Sequence, residues 1–165
     1  MSNNIRAAEI TDLGPIIEIY NQALSSRFET ADSLAIYTGD KISWFRNHLQ
    51  EAYPIFVYEQ NKKIVGWISI SPYRLDIKAL RHTVEINYYV DYGFRRKGIG
   101  SSLIKYVIDK CKELNYKTIL AVIFDRNEYS IKLLAKYDFV KWGHLPNIAN
   151  FEGVECGHVY YGLKI

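Results

Sequence analysis

Residues 88–101 constrain this 165-residue chain more than any other stretch. An apolar, β-prone run ends in a basic turn with Gly98 and Gly100, and a strongly periodic helix begins directly after it. This order places free backbone N–H groups, glycines and three cations at one helix N-terminus. Helix N-termini attract anions through those N–H groups and the aligned peptide dipoles. Because glycine also lets a diphosphate approach the backbone closely, the stretch predicts a site for a phosphate-bearing cofactor.

Length and composition favour one compact domain, residues 1–165, that buries a substantial core. A net charge of +3 is too small to predict nucleic-acid binding, and the cluster of Arg95, Arg96 and Lys97 favours a local anion site. No segment approaches the roughly 20 apolar residues of a membrane span. The two cysteines have no metal-binding spacing, so we expect free thiols, no metal and a cytoplasmic location.

Hydrophobic periodicity predicts the element order βααβββαβαββ, an α+β fold with a mixed, mostly antiparallel central sheet flanked by helices. Asn127 is placed to cap the last short helix. The pattern predicts polar loops at residues 25–39 and 146–155, the second lying between strands at 139–145 and 156–163.

The glycine-bearing turn does not match two common phosphate-binding motifs. Gly93 and Gly98 have the spacing of a P-loop, but Ile99 and Gly100 follow instead of Lys and Ser or Thr. A dinucleotide-binding turn needs a third glycine, which does not follow here. What remains is Arg95-x-x-Gly98-x-Gly100, after a strand that enters late in a mixed sheet.

This arrangement resembles the pyrophosphate loop of the GNAT superfamily of N-acetyltransferases. The resemblance covers nearly the whole chain and points to the branch of phosphinothricin and methionine sulfoximine acetyltransferases. It is carried by Ile5-Arg6-x-Ala8, Val65-Gly66-Trp67-Ile68-Ser69, Arg81-His82-Thr83-Val84-Glu85, Tyr89-Val90, and Asn127 with Ser130. It implies a single-domain GNAT fold with acetyl-CoA wedged between two splayed central strands.

The resemblance also implies which residues bind acetyl-CoA. Backbone groups of the late strand would extend the sheet onto the pantetheine arm, and the basic turn would wrap the pyrophosphate. The expected cofactor-binding residues are Tyr88, Tyr89, Val90, Arg95, Arg96, Lys97, Gly98, Ile99, Gly100, Ser101, Asn127 and Ser130.

For catalysis, the resemblance implies that Glu85 is the general base, because an amine must be neutral to attack a thioester. A different interpretation is that Glu85 only forms an ion pair with Arg81 or His82. In this family a His or Tyr on the last helix commonly reprotonates the leaving thiolate, and Leu134 occupies that position here. Tyr137 is therefore expected to act as the acid, with water as the alternative.

The substrate side departs most from the family pattern. The resemblance implies a homodimer that acetylates the primary amine of a small molecule, most plausibly an amino acid or analogue. Arg27, Arg74 and Lys78 are the candidates for binding a substrate carboxylate. The alternatives are a protein N-terminal or lysine acetyltransferase and a catalytically silent acyl-CoA-binding module. A cleft closed by residues 25–39 and 146–155 would favour a small metabolite, and an open groove would favour a peptide.

Overall fold

A computed structural model of the chain describes residues 4–26, 28–30, 32, 34–48 and 52–165. Its strands and helices follow one another in the order predicted from the sequence. They are β1 (Ile5–Ala7), α1 (Leu13–Gln22), α2 (Thr38–His48), β2 (Ile55–Gln60), β3 (Lys63–Pro72), β4 (Thr83–Val90), α3 (Ile99–Glu113), β5 (Thr118–Phe124), α4 (Glu128–Ala135), β6 (Val140–Phe151) and β7 (Val154–Lys164). The expected α+β fold class is confirmed.

The strands form one seven-stranded sheet in the order β1-β2-β3-β4-β5-β7-β6. Strands β4 and β5 run parallel, whereas every other neighbouring pair in the described sheet is antiparallel. These two strands lie in the middle of the sheet. They are parallel because α3 carries the chain from the end of β4 back to the start of β5.

Helices cover both faces of the central strands. On one face, Ile68 of β3 packs in a buried cluster with Leu103 and Val107 of α3. On the other face, Trp67 packs in a second cluster with Ile16 of α1 and Phe45 of α2. Since successive strand residues point to opposite faces, a strand covered on both faces is apolar throughout. This explains the nearly continuous apolar run in β3.

The prediction of a polar loop at residues 146–155 is wrong. Most of these residues belong to strands β6 and β7, which form one long hairpin. Its turn consists of Glu152 and Gly153, whose φ angles are 50° and 89°. A register shift between Leu145 and Ala149 accommodates Pro146, which an edge strand tolerates. The alternation that marks a strand is missing here because β6 is exposed along most of its length.

The predicted helix cap at Asn127 is confirmed. Its side-chain oxygen accepts a hydrogen bond from the Ser130 backbone N–H at 3.1 Å, which fixes the start of α4. Both cysteines are buried free thiols, as expected. No helix in the described ranges is long and apolar enough to cross a membrane.

Candidate active site

The central feature of the site is the separation of β4 from β5. The two strands are in parallel register from the Thr83–Thr118 pair to the Glu85–Leu120 pair, and no further. Beyond Glu85, residues 86–90 of β4 and 122–124 of β5 line a cavity of about 300 Å³. The sheet therefore opens into a wedge directly after Glu85.

Hydrogen bonds show which backbone groups face this wedge. The Asp91 N–H donates to the Val65 carbonyl of β3 at 2.9 Å, and the Thr83 carbonyl accepts from Tyr73 at 3.3 Å. Backbone groups alternate in direction along a strand, so the odd-numbered residues of β4 bond to β3. The backbone groups of Tyr88 and Val90 consequently point toward the open side, where β5 has moved away.

The N-terminus of α3 lies at one end of the wedge, and its two glycines have different roles. Gly98 has a φ of 82°, a left-handed conformation that side chains other than glycine rarely adopt. At Gly100, a Cβ atom would lie 3.1 Å from Leu133 Cδ2 of α4, so glycine lets the two helices pack closely. Gly98 thus sets the turn, while Gly100 sets the packing of the two helices beside the cavity.

The three cations of the turn have different surroundings. The Arg95 guanidinium forms two hydrogen bonds with the Glu29 carboxylate, at 2.9 and 2.6 Å, and lies 3.6 Å from the centre of the Tyr92 ring. Arg96 and Lys97 are exposed. Arg95 therefore ties the segment around Glu29 to the glycine-bearing turn, a contact that sequence analysis did not anticipate.

Glu85 lies at the point where β4 and β5 separate and faces the cavity. Burial raises the pKa of Glu85 above its ordinary value, and a hydrogen bond with the Asn87 side chain offsets part of this effect. The alternative ion pair is not formed, because Arg81 donates to the Lys78 carbonyl and His82 Nδ1 bonds to the Asn115 carbonyl. Glu85 is a half-buried carboxylate without a cationic partner among the described residues.

Two segments meet on the side of the cavity away from α3. The ring of Phe28 lies 5.7 Å from that of Phe151 near the tip of the β6–β7 hairpin, and Phe151 lies 5.1 Å from Phe124 of β5. Tyr20 of α1 bonds to Thr30 at 2.6 Å, and both of these residues line the cavity. Phe28 and Phe151 therefore contact each other beside the cavity, next to Phe124, which lines it.

A smaller, aromatic cavity of about 190 Å³ adjoins this side. Trp44 and Trp67 form its walls, and it shares Tyr20, Asn87 and Tyr89 with the larger cavity. The Trp67 indole donates to the Ile16 carbonyl at 3.1 Å, which holds this wall in place. Sequence analysis assigned no role to Trp44, and it included Trp67 only in the segment that carries the family resemblance.

Several predicted residues lie together at the larger cavity. Its lining includes Glu85, Tyr88, Tyr89, Val90, Arg95, Gly100, Asn127 and Ser130. Arg96, Lys97, Gly98, Ile99 and Ser101 belong to the adjoining turn and the first turn of α3.

Other predicted residues lie elsewhere. Arg74 and Lys78 are exposed and do not line the described cavities, and Tyr137 packs against the core instead. Leu134 is fully buried. Arg27 lies outside the described residues.

Sequence analysis missed Tyr129 and His158, which both line the larger cavity. Tyr129 lies on the exposed side of a short helix, and His158 lies in the middle of the last strand. The His158 ring is 4.6 Å from that of Phe124, and burial lowers its pKa. Neither position carries a local sequence signal, because the fold alone brings them to the wedge.

Comparisons with known proteins agree with this geometry. The profile of the acetyltransferase (GNAT) family matches residues 15–139. YwnH of Bacillus subtilis, a proposed phosphinothricin acetyltransferase, is 35% identical over 162 residues, which cover 98% of this chain and 95% of YwnH. The L-methionine sulfoximine/L-methionine sulfone acetyltransferase of Salmonella typhimurium is 28% identical over 153 residues, covering 93% of this chain and 86% of that protein.

A solved structure of YncA, a proposed acetyltransferase of Salmonella typhimurium with its cofactor acetyl-CoA, superimposes with a TM-score of 0.90 at 26% identity. The match covers 97% of this chain and 92% of that one. The wedge between β4 and β5, the glycine-bearing turn before α3 and these relatives lead to one assignment. The chain belongs to the acetyltransferase (GNAT) family and is an N-acetyltransferase of its phosphinothricin acetyltransferase-like branch.

Proposed function

We propose that this protein transfers the acetyl group of acetyl-CoA to the primary amine of a small molecule, an amino acid or analogue of the phosphinothricin or methionine sulfoximine type. The observation that carries the proposal is the separation of β4 from β5 between Glu85 and the N-terminus of α3. The names of the relatives support the acceptor class.

The residues around the wedge fit acetyl-CoA. The open backbone groups of Tyr88 and Val90 can bond to the pantetheine arm as an additional strand would. The turn that contains Gly98 and the free N–H groups of α3 suit the pyrophosphate. Asn127 uses its side-chain oxygen to cap α4, so its amide nitrogen is left to donate. When bound, acetyl-CoA supplies an activated acetyl thioester.

The residues of the chain then prepare the amine. Glu85 accepts a proton from the substrate ammonium, directly or through a water molecule, and leaves a neutral nucleophile. Its raised pKa brings its basicity closer to that needed at neutral pH. The Val90 N–H faces the wedge and is placed to stabilise the oxyanion that forms at the attacked carbonyl.

The proton for the leaving thiolate needs a separate source. Leu134 has no proton to donate, and Tyr137 was the candidate from the sequence. Tyr137 does not line the described cavity, which supports water as the donor. The reaction needs no covalent intermediate with the protein, because the amine attacks the thioester directly.

The side of the cavity away from α3 is the proposed acceptor side, and its contacts support a small substrate. The Phe28 ring meets Phe151 of the hairpin there, next to Phe124, so bulky side chains crowd this side. In our proposal, the aromatic cavity beside Trp44 and Trp67 receives the part of the acceptor that does not react. Arg27, Arg74 and Lys78 stay the proposed partners of a substrate carboxylate, although Arg74 and Lys78 do not line the described cavities. Substitution of each tests this role.

We also propose that the protein is a cytoplasmic homodimer. Strand β6 is an edge of the sheet and exposes apolar side chains, with Val140 56%, Trp142 46% and Ile148 54% accessible. Exposed apolar edge strands pair readily with another chain. A second copy covering β6 would double the mass measured by light scattering, and Trp142→Lys would reduce it.

A panel of amines tested with acetyl-CoA, read by release of the free thiol, examines the proposed function. We expect turnover with methionine sulfone, methionine sulfoximine or phosphinothricin, and not with peptides that offer a lysine or an N-terminal amine. Turnover with peptides alone would favour the protein acetyltransferase alternative. Acetyl-CoA binding without turnover of any amine would favour the silent module.

A further inference from the structure

The hydroxyl group of Tyr88 is buried, and no described group of the protein accepts its hydrogen in good hydrogen-bond geometry. Among the described residues, only Tyr88 Oη and Asp125 Oδ1 are buried side-chain polar atoms in this situation. The other oxygen of Asp125 bonds to His144 Nε2 at 3.0 Å, whereas the Tyr88 side chain has a single polar atom. Leaving a buried donor unpaired is unfavourable, so such an atom in a ligand-binding protein indicates a missing ligand group.

The Tyr88 side chain lies at the wedge. Tyr88 lines the larger cavity together with Gly100, Asn127 and Ser130. It projects to the face of the sheet that α3 covers, because its ring packs against the buried cluster around Leu103. Along β4 it lies between Glu85, where the amine reacts, and the turn at Gly98. This is the level of the pantetheine arm in the proposed complex.

The chemistry of the hydroxyl sets the kind of partner it needs. Burial raises the pKa of Tyr88, while the Ser130 side chain, which is close enough to donate a weak hydrogen bond to the phenol oxygen, lowers it in part. Such a contact leaves the hydrogen of the phenol without an acceptor. The phenol therefore stays protonated at neutral pH and acts as a hydrogen-bond donor. Its partner must supply an acceptor, and the pantetheine arm, which lies at this level in the proposed complex, carries amide carbonyl oxygens.

We propose that the Tyr88 hydroxyl donates a hydrogen bond to the pantetheine arm of acetyl-CoA, in addition to the backbone contacts expected of the same residue. This inference rests on the proposed use of acetyl-CoA. In the free protein the donor is buried without a partner, and the cofactor completes it. Tyr88 thus favours the binding of ligands that carry the pantetheine arm over ligands that carry the nucleotide part alone.

The Tyr88→Phe variant tests this proposal because it removes the oxygen alone. Isothermal titration measures its affinity for CoA and for adenosine 3′,5′-bisphosphate, which carries the nucleotide part without the pantetheine arm. We expect CoA to bind about 2- to 12-fold more weakly than to the wild type, the effect of one hydrogen bond, with an unchanged affinity for the bisphosphate. Thermal unfolding without ligand should give the same or a higher midpoint, because the variant no longer buries an unpaired hydroxyl.

Tyr116 offers a matched control. Its hydroxyl is also attached to a buried ring, but it donates to the Ala52 carbonyl at 2.5 Å. The Tyr116→Phe variant should lower the unfolding midpoint of the free protein and leave CoA affinity unchanged. Tyr88→Phe is therefore expected to weaken CoA binding without lowering the unfolding midpoint. Tyr116→Phe is expected to lower the unfolding midpoint without weakening CoA binding.

Two results would overturn the inference. One is an unchanged CoA affinity in Tyr88→Phe, and the other is an equal loss of affinity for CoA and for the bisphosphate. In either case wild-type binding of CoA would leave the proposed function standing. If the wild type bound no CoA at all, the proposed function itself would fail.

Discussion

On the α3 side of the cavity, the groups proposed to bind acetyl-CoA come from two short stretches, residues 88–101 and 127–130. On the acceptor side, the groups proposed to contact the acceptor come from α1, the segment around Glu29, β4 and the β6–β7 hairpin, which are far apart in the sequence. The first side uses mainly backbone groups and glycines, and the second uses mainly side chains. A site built from backbone geometry tolerates sequence change elsewhere, whereas a site built from distant side chains changes specificity with single substitutions. This difference explains why the cofactor is easier to infer from the sequence than the acceptor.

The largest expected effect is that of Glu85→Gln, which lies where the two sides meet. Without the base the substrate ammonium keeps its proton, so kcat should fall about 10²- to 10⁴-fold while CoA affinity remains. In the wild type, kcat/KM should fall as the pH drops through the raised pKa of Glu85, because protonation removes the base. Initial rates of thiol release, measured over a range of pH, give both the kcat of the variant and the pH dependence of kcat/KM. A variant with wild-type kcat would show that Glu85 is not the base.

Gly98→Val should affect the cofactor side alone. Its φ of 82° strains a branched side chain, which distorts the turn. We expect the KM for acetyl-CoA to rise about tenfold, while the acceptor KM stays within about twofold. Gly14→Ala is the control, since no atom lies within 4 Å of a Cβ added there. Equal KM values for acetyl-CoA in the valine variant and the wild type would contradict the cofactor placement.

Glu29→Gln should produce a smaller effect on the acceptor side. The change weakens the contact with Arg95, whose side chain is 31% exposed, and loosens the segment over the acceptor. We expect the free energy of unfolding to fall by about 1 kcal/mol and the acceptor KM to rise about threefold. The exposed pair of Glu128 and Lys132 gives a control, because Glu128→Gln should change neither quantity. If acetyl-CoA KM rose instead, the segment would belong to the cofactor side.

The smallest expected effect is that of Tyr137→Phe. Since Tyr137 packs against the core and does not line the described cavity, kcat should remain within about twofold of the wild type at all pH values. A loss of the basic limb of the pH profile would instead restore Tyr137 as the acid.

Local signals made the α3 side predictable from the sequence. Gly98 marks a turn that requires a left-handed residue, and Asn127 marks a helix start, so both could be placed before the fold was known. The pairing of Arg95 with Glu29 could not be predicted, since 66 residues separate the two in the chain. Both strands of the β6–β7 hairpin were predicted, but their continuation through residues 146–155 was missed, because an edge strand exposed on both faces lacks the apolar alternation that marks a strand.

Residue-resolved amide exchange on β4 tests the central claim, that acetyl-CoA completes the open edge of this strand, most directly. Asn87 and Tyr89 N–H groups face β3 and should be protected with or without ligand. The Tyr88 and Val90 N–H groups face the wedge, and we predict that they exchange readily in the free protein and become protected when acetyl-CoA binds. Unchanged exchange at Tyr88 and Val90 under saturating acetyl-CoA would contradict the account.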